Sequence, residues 1–145
     1  MREILFRAKA INRIKGREYR TSYKNGDWVY GLVTKMYDDR FPNLPATMRN
    51  TDGVSNIDVD YKSIGQYTGF TDKDGKKIFE GDILRRAYYP EDDVVIEWFD
   101  GSFRFRKANK PKDYGYSAVC CIQNAVSSLK IIGNAYDNPE LLEEQ

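Results

Sequence analysis

Histidine is absent from the 145-residue sequence. Its absence excludes Ser-His-Asp and Cys-His nucleophile systems, imidazole proton shuttles and every zinc site that uses a histidine ligand. The only cysteines, Cys120 and Cys121, are adjacent, so a single chain offers neither a disulfide framework nor a four-thiolate metal site. We expect both thiols to be reduced and buried, and we predict no catalytic residue, no metal and no other cofactor.

Long apolar runs and targeting signals are lacking too. No segment approaches the roughly 20 consecutive apolar residues that a membrane-spanning helix requires. Residues 1–7 lack the apolar run and cleavage site of a signal peptide, so the sequence predicts a cytoplasmic protein without membrane contact. With 41% hydrophobic and 14% aromatic residues, the chain can form the core of one compact domain or two very small ones.

Charge is balanced overall but unevenly placed, with 23 basic and 22 acidic side chains. Residues 1–26 contain eight basic and two acidic side chains, a net charge of +6, whereas residues 137–145 contain four acidic and no basic ones, a net charge of −4. Opposite charges at the two ends can attract each other within one molecule or between copies. The alternative is that both ends are solvated surface.

The first half of the chain has the pattern of strands. Period-two alternation over residues 4–11 predicts a strand with four apolar residues on one face: Ile4, Phe6, Ala8 and Ala10. A tight turn at 24–27 precedes a strand over 28–37 that is rich in aromatic and β-branched residues. Residues 38–53, rich in Pro, Asn and Asp, predict a long loop. A short strand over 57–61 follows.

The second half combines short strands with tight turns. The dipeptides Asp74-Gly75 and Asp100-Gly101 predict hairpin turns. A turn precedes residues 78–79, and strands are predicted over 83–89, 94–99, 102–106 and 129–136, with a bend at 80–82 and a polar loop at 90–93. Segment 118–122 fits either a strand or a short buried helix. This pattern is typical of a small, strongly bent sheet of the SH3-like barrel type.

The chain ends with the signals of a short helix. Asn138 or Asp137 can accept a backbone N–H as N-cap, Pro139 suits the first helical position, and Glu140 complements the helix dipole. The two leucines that follow would supply its apolar contact.

Four sequence blocks in order carry a resemblance to a known family: residues 1–8, 28–31, 65–83 (GQYTGFTDKDGKKIFEGDI) and 132–142 (IGNAYDNPELL). They resemble the YopX family of phage and prophage proteins, whereas 38–62 and 107–128 carry no match. The resemblance implies a mainly β fold with a small barrel, a phage or prophage source and a homo-oligomer. It implies no reaction, because the family has no established biochemical activity.

The predicted fold class is therefore mainly β, that is, a β-rich α+β fold. We expect N-terminal strands and a long loop in residues 1–62, and a YopX-like small SH3-like barrel or bent sheet with a short C-terminal helix in 63–145. The two parts can also form one compact unit.

Carboxylates offer two candidate metal sites, and both have simpler interpretations. Residues 72–75 superficially match a calcium loop, but loop positions five and twelve are Lys76 and Ile83, so an EF-hand is excluded. Seven acids could converge on Mg²⁺ as in nucleases: Glu80, Asp82, Glu91, Asp92, Asp93, Glu97 and Asp100. Turn chemistry is favoured instead, because an aspartate can accept neighbouring backbone N–H groups and hold a bend.

A basic and aromatic hairpin is the best candidate binding face. In residues 103–106, alternation places two phenylalanines on one face and two arginines on the other. The predicted face has six members: Arg85, Arg86, Tyr88, Trp98, Arg104 and Arg106. Arginines beside aromatic rings can grip phosphates and stack on bases. Residues 85–112 have seven basic and five acidic side chains, a net charge of only +2, so nucleic acid is possible but not favoured.

The sequence thus predicts a phage-derived, non-enzymatic interaction or assembly protein in a bacterial host. We expect it to self-associate and to contact a phage or host protein, with its tyrosines available for interfaces. The first alternative is a nucleic-acid-binding accessory protein. The second is a metal-dependent phosphohydrolase with an all-carboxylate site at Glu80 and Asp82.

Overall fold

A computed structural model describes residues 2–11, 23–36, 40, 45–51, 56–86, 89–110, 117–118 and 128–143. The described part is mainly β, as predicted, and every pairing between its strands is antiparallel. Its strands are β1 Phe6–Lys9, β2 Trp28–Lys35, β3 Ala46–Asn50, β4 Asn56–Val59, β5 Gly65–Thr71, β6 Lys77–Phe79, β7 Asp82–Arg86, β8 Tyr89–Phe99, β9 Ser102–Lys107, β10 Ser117–Ala118 and β11 Leu129–Asn134.

The chain divides into two compact units, Met1–Gln66 and Tyr67–Gln145. Short 3-10 helices span Tyr61–Ser63 in the first unit and Pro139–Leu142 in the second. No helix among the described residues is long and apolar enough to cross a membrane.

The first unit is a curled sheet with the strand order β4-β3-β2-β1-β5, in which β1 pairs with the first two residues of β5. Beyond β1, Ala10 bridges to Val59 and the Ile11 N–H donates to the Asp58 carbonyl at 2.8 Å. Since these bonds join the end of β1 to β4, the sheet curls around a core. That core contains seven fully or almost fully buried side chains: Ala8, Ala10, Val29, Ala46, Met48, Ile57 and Val59.

The predicted N-terminal alternation is correct from Phe6 onward. Ala8 and Ala10 lie in the core and Phe6 packs against it. Ile4 is 63% exposed, because β1 begins only at Phe6 and Ile4 has no strand neighbour to pack against.

The predicted loop over 38–53 is wrong at its centre, where β3 spans Ala46–Asn50. Local composition favoured a loop, but β3 is held by pairing with β2 on one side and β4 on the other. Met48 gains full burial from this position, which offsets the weak local strand signal. Residues 37–39, 41–44 and 52–55 lie outside the described part of the chain.

The second unit contains the β5–β6 pair, which starts at Tyr67, and a five-stranded sheet with the order β10-β9-β8-β7-β11. The predicted hairpin at Asp100-Gly101 is confirmed. Both turn residues have positive φ, 49° and 78°, as the tight turns of two-residue hairpins require. The strands pair in register from Val94↔Lys107 to Phe99↔Ser102.

Two apolar clusters pack on opposite faces of this sheet, as the alternation along β8 shows. The first contains Ile78, Leu84, Ile96, Phe103 and Leu129. The second contains Ile83, Val95 and Ala108, with Ile132, Ala135, Leu141 and Leu142 packed against it.

The predicted polar loop at 90–93 is also wrong, because β8 already begins at Tyr89. Charged residues enter this strand because they find partners across the sheet. Asp93 pairs with Arg85 of β7, and Asp92 pairs with Lys107 of β9.

The short C-terminal helix is a 3-10 turn over Pro139–Leu142. Asn138 precedes it but makes no side-chain capping bond. Its Oδ1 instead accepts the Asn134 N–H at 3.2 Å, so the predicted cap is wrong for Asn138. Leu141 and Leu142 make the predicted apolar contact.

Some sequence-based expectations remain predictions. Cys120 and Cys121 lie outside the described residues, and of segment 118–122 only Ala118, at the end of β10, is described. The SH3-like detail predicted for residues 63–145 also stays a prediction.

Candidate functional site

Arg85 is bound to a carboxylate within the second unit. Its Nε donates to Asp93 Oδ1 at 2.8 Å and an Nη donates to Oδ2 at 2.6 Å. Such a two-pronged geometry suits a guanidinium and a carboxylate. The hydrogen bonds and the charge of Asp93 raise the pKa of Arg85 above its ordinary value, against the opposing effect of burial.

Arg106 is held more tightly still. It is 5% exposed, and it donates to both carboxylate oxygens of Glu97, at 3.2 and 2.9 Å. A further N–H donates to the Lys110 carbonyl at 2.6 Å. Register places Arg106 beside Val95 of β8, on the face where the cluster around Ile83 packs. Arg106 therefore joins the strands of the hairpin and does not reach solvent.

The remaining members of the predicted face do not lie on one surface. Trp98 is opposite Phe103, whereas Arg104 is opposite Glu97, so Trp98 and Arg104 project from opposite faces of the hairpin. Arg86 is exposed at the end of β7, and Tyr88 lies outside the described residues. The structure thus brings together Arg104 and Arg106, and it separates Trp98 from them.

The end of the β8–β9 hairpin carries two exposed aromatic residues that are consecutive in the chain and project from opposite faces, Trp98 and Phe99, which we call the aromatic tip. Trp98 is 52% and Phe99 46% exposed. Phe103 packs edge-on to Trp98 with ring centroids 4.9 Å apart, and the Arg104 guanidinium lies 5.9 Å from the Phe99 ring. Sequence reasoning missed Phe99, although its position directly before a two-residue turn indicates a strand end with few neighbours.

Asp72 holds a turn together. Its Oδ1 accepts the N–H groups of Asp74 and Lys76, both at 2.9 Å, and its Oδ2 accepts the Ile131 N–H at 3.1 Å. Burial raises the pKa of this carboxyl, but the three N–H groups and the Lys76 charge prevail and leave the pKa below its ordinary value. The oxygens that a calcium ion would need are thus engaged with the backbone.

The predicted role of an aspartate that holds a bend is confirmed at Asp82, which is 1% exposed. Its Oδ2 accepts the Phe79 N–H at 2.8 Å across the bend. Asp92, Asp93 and Glu97 belong to ion pairs. Within the described ranges, no group of three or more acidic or cysteine side chains is placed to hold a metal ion.

A second surface was not foreseen from the sequence. On the side of the first unit's sheet opposite its core, six side chains form what we call the outer face: Arg7, Lys9, Trp28, Tyr30, Leu32 and Arg49. The Arg7 guanidinium lies 4.6 Å and the Lys9 ammonium 4.3 Å from the Trp28 ring centroid. The alternation of residues 28–32, read together with the basic residues of β1, is the signal that could have found it.

The described part of the chain has the fold of an antiparallel β protein with two compact units. A family model described as YopX protein matches residues 14–143, and the chain belongs to the YopX family. Among solved structures, it is similar to protein EF1440 from Enterococcus faecalis, with a TM-score of 0.53 and 24% identity over 97% of this chain and 99% of that one. That likeness concerns the fold. No curated protein matches the chain.

Proposed function

We propose that this YopX protein is a phage- or prophage-derived, non-enzymatic interaction or assembly protein of the bacterial cytoplasm, and that it associates with copies of itself. The observation that carries the proposal is the aromatic tip, where Trp98 and Phe99 are 52% and 46% exposed. Aromatic rings are enriched in the buried centres of interfaces, and here both faces of the hairpin end expose one. A phage or host protein is the further partner we propose for the assembled form.

Rigidity of the hairpin supports this role. The bidentate contact between Arg106 and Glu97 joins β9 to β8 close to the tip. Phe103 packs against Trp98 and Arg104 lies over Phe99. Because the rings are already positioned, less side-chain entropy is lost when they are buried against a partner.

Charge supports association between copies. Arg2 and Lys24 at one end of the chain are exposed, as are Glu140 and Glu143 at the other. Opposite charges on two copies can therefore attract each other and orient the encounter.

The proposal is tested by sedimentation velocity of the double variant Trp98→Ser, Phe99→Ser. Loss of a central tryptophan commonly weakens an interface by about 2 kcal/mol, or roughly thirtyfold in affinity. We expect the variant to dissociate to monomers at concentrations where the natural chain is associated.

The matched control is Met36→Ser, which removes an apolar side chain that is 60% exposed in the first unit. This variant should associate like the natural chain. A natural chain that is monomeric at all concentrations, or a tip variant that keeps its association, would contradict the proposal.

Nucleic-acid binding through the predicted face is not proposed. Two of its arginines, Arg85 and Arg106, are engaged with Asp93 and Glu97. A phosphate could reach Arg106, which is 5% exposed, only after its contacts were broken, whereas Arg85 is 37% exposed but has its charge paired with Asp93.

A further inference from the structure

The outer face of the first unit has an unusual composition for a solvent-exposed sheet surface. Alternation along β2 places Val29 in the core, fully buried, and Tyr30 and Leu32 outside, 39% and 52% exposed. The solvated face of an antiparallel sheet is ordinarily polar. Here an aromatic and a leucine side chain are exposed two residues apart, about 6.8 Å along the strand.

Each outer residue of β2 lies opposite a basic residue of a neighbouring strand. Register pairs Trp28 with Lys9, Tyr30 with Arg7 and Leu32 with Arg49. Opposed residues of an antiparallel pair project from the same face. Trp28 and Tyr30 therefore have a basic neighbour in β1, and Leu32 has one in β3. Arg7 is only 7% exposed, so Lys9 and Arg49 are the cations that a ligand can reach. Asp58 of β4 is the acidic residue on this face.

This combination matches one class of ligand. Phosphates of a single-stranded nucleic acid are attracted by a line of cations, and its bases stack on aromatic rings irrespective of sequence. Tyr30 offers an exposed ring, while Trp28 lies close to Arg7 and Lys9 and orients them. An acidic polypeptide would be attracted by the same charges but has no bases to stack on Tyr30.

We infer that the outer face binds single-stranded nucleic acid, with Tyr30 as a stacking platform and Lys9 and Arg49 as phosphate contacts. This surface differs from the aromatic tip and belongs to the other unit. The inference is therefore independent of the proposed self-association.

The test is fluorescence anisotropy with a labelled oligothymidylate about 12 nucleotides long, measured at about 50 mM and about 200 mM salt. The natural chain should bind, and its affinity should fall steeply with salt. Tyr30→Ala should raise the Kd roughly five- to 150-fold, whereas Tyr30→Phe should retain binding. Arg49→Gln should reduce the slope of log K against log salt by about 0.7.

The matched control, Tyr136→Ala with Lys130→Gln, removes one aromatic and one cation from the second unit, 45% and 58% exposed, and should bind like the natural chain. Circular dichroism checks that each variant is folded. Absence of binding at low salt, or unchanged binding by Tyr30→Ala and Arg49→Gln, would overturn the inference. Displacement of the oligonucleotide by polyglutamate at equal concentration would also overturn it and assign the face to an acidic polypeptide.

Discussion

Gly31 lies where β2 and β3 approach each other most tightly. A Cβ built at this position would be 1.8 Å from the carbonyl oxygen of Arg49, a backbone atom that is fixed by the sheet. Both strands would have to separate, and Met48 of the first unit's core lies on one of them. Gly31→Ala should therefore destabilise the first unit by at least about 3 kcal/mol, at the upper end of the usual cost of overpacking.

Urea unfolding can measure this loss because the two tryptophans, Trp28 and Trp98, belong to different units. A Trp98→Phe background leaves Trp28 to report on the first unit. The comparison is Gly133→Ala in the second unit, followed through Trp98 in a Trp28→Phe background; its Cβ would be 2.4 Å from the side-chain oxygen of Asn138. That side chain can rotate away at the cost of a hydrogen bond, about 1 kcal/mol. Equal losses in the two variants would contradict this account.

The β8–β9 hairpin contains two ion pairs with different surroundings. Arg106 is 5% exposed and Glu97 21%, whereas the side chains of Lys107 and Asp92 are 45% and 48% exposed. Removing one partner of a buried pair leaves a charge in a poorly solvated position. Exposed pairs contribute little, because water solvates both charges.

Glu97→Gln should therefore destabilise the second unit by about 3 kcal/mol, and Asp92→Asn by less than about 1 kcal/mol. Urea unfolding followed by Trp98 fluorescence in a Trp28→Phe background gives both values. If Glu97→Gln lowers the free energy of unfolding no more than Asp92→Asn does, the buried pair with Arg106 does not stabilise the hairpin as described.

The two turns at Asp82 and at Asp100-Gly101, whose signals are local, were predicted correctly. The Asp100-Gly101 turn needs only two residues that tolerate positive φ, and Asp82 holds its bend through a bond to Phe79, three residues away. Strand β3 could not be found in this way, because its stability comes from pairing with β2 and β4.

At the scale of the whole molecule, the uneven charge of the two ends leads to a test of association. Glu140→Lys with Glu143→Lys should weaken self-association, because it brings the net charge of residues 137–145 from −4 to 0. Arg2→Glu with Lys24→Glu should weaken it less, because residues 1–26 go from +6 to +2. Removal of residues 137–145 would be a poorer experiment. It would also remove Leu141 and Leu142 from the cluster around Ile83 and Val95.

A mixture of the two variants should associate better than either alone, since residues 1–26 of the first (+6) can meet residues 137–145 of the second (−4). Sedimentation at about 0.1 M salt, where the screening length is about 10 Å, leaves such contacts effective. If both variants alone keep the mass of the natural chain, the charged ends take no part in the assembly.

The sequence predicted only part of the candidate sites. Alternation correctly separated the two phenylalanines of residues 103–106 from the two arginines. It could not show that the face with Arg106 is covered by the cluster around Ile83, nor that Arg85 meets Asp93. The outer face escaped notice because its cations come from β1 and β3 and its rings from β2, which are distant in the chain.

The sequence by itself determined the mainly β class, the tight turns and the family. Turn geometry depends on the φ and ψ values open to two or three residues, and a family signature is a property of the chain itself. Only the tertiary structure decided which arginines are buried, where the predicted loop contains a strand, and which aromatic rings stay in water. Those outcomes depend on contacts between residues far apart in the chain, and local preference carries no information about such partners.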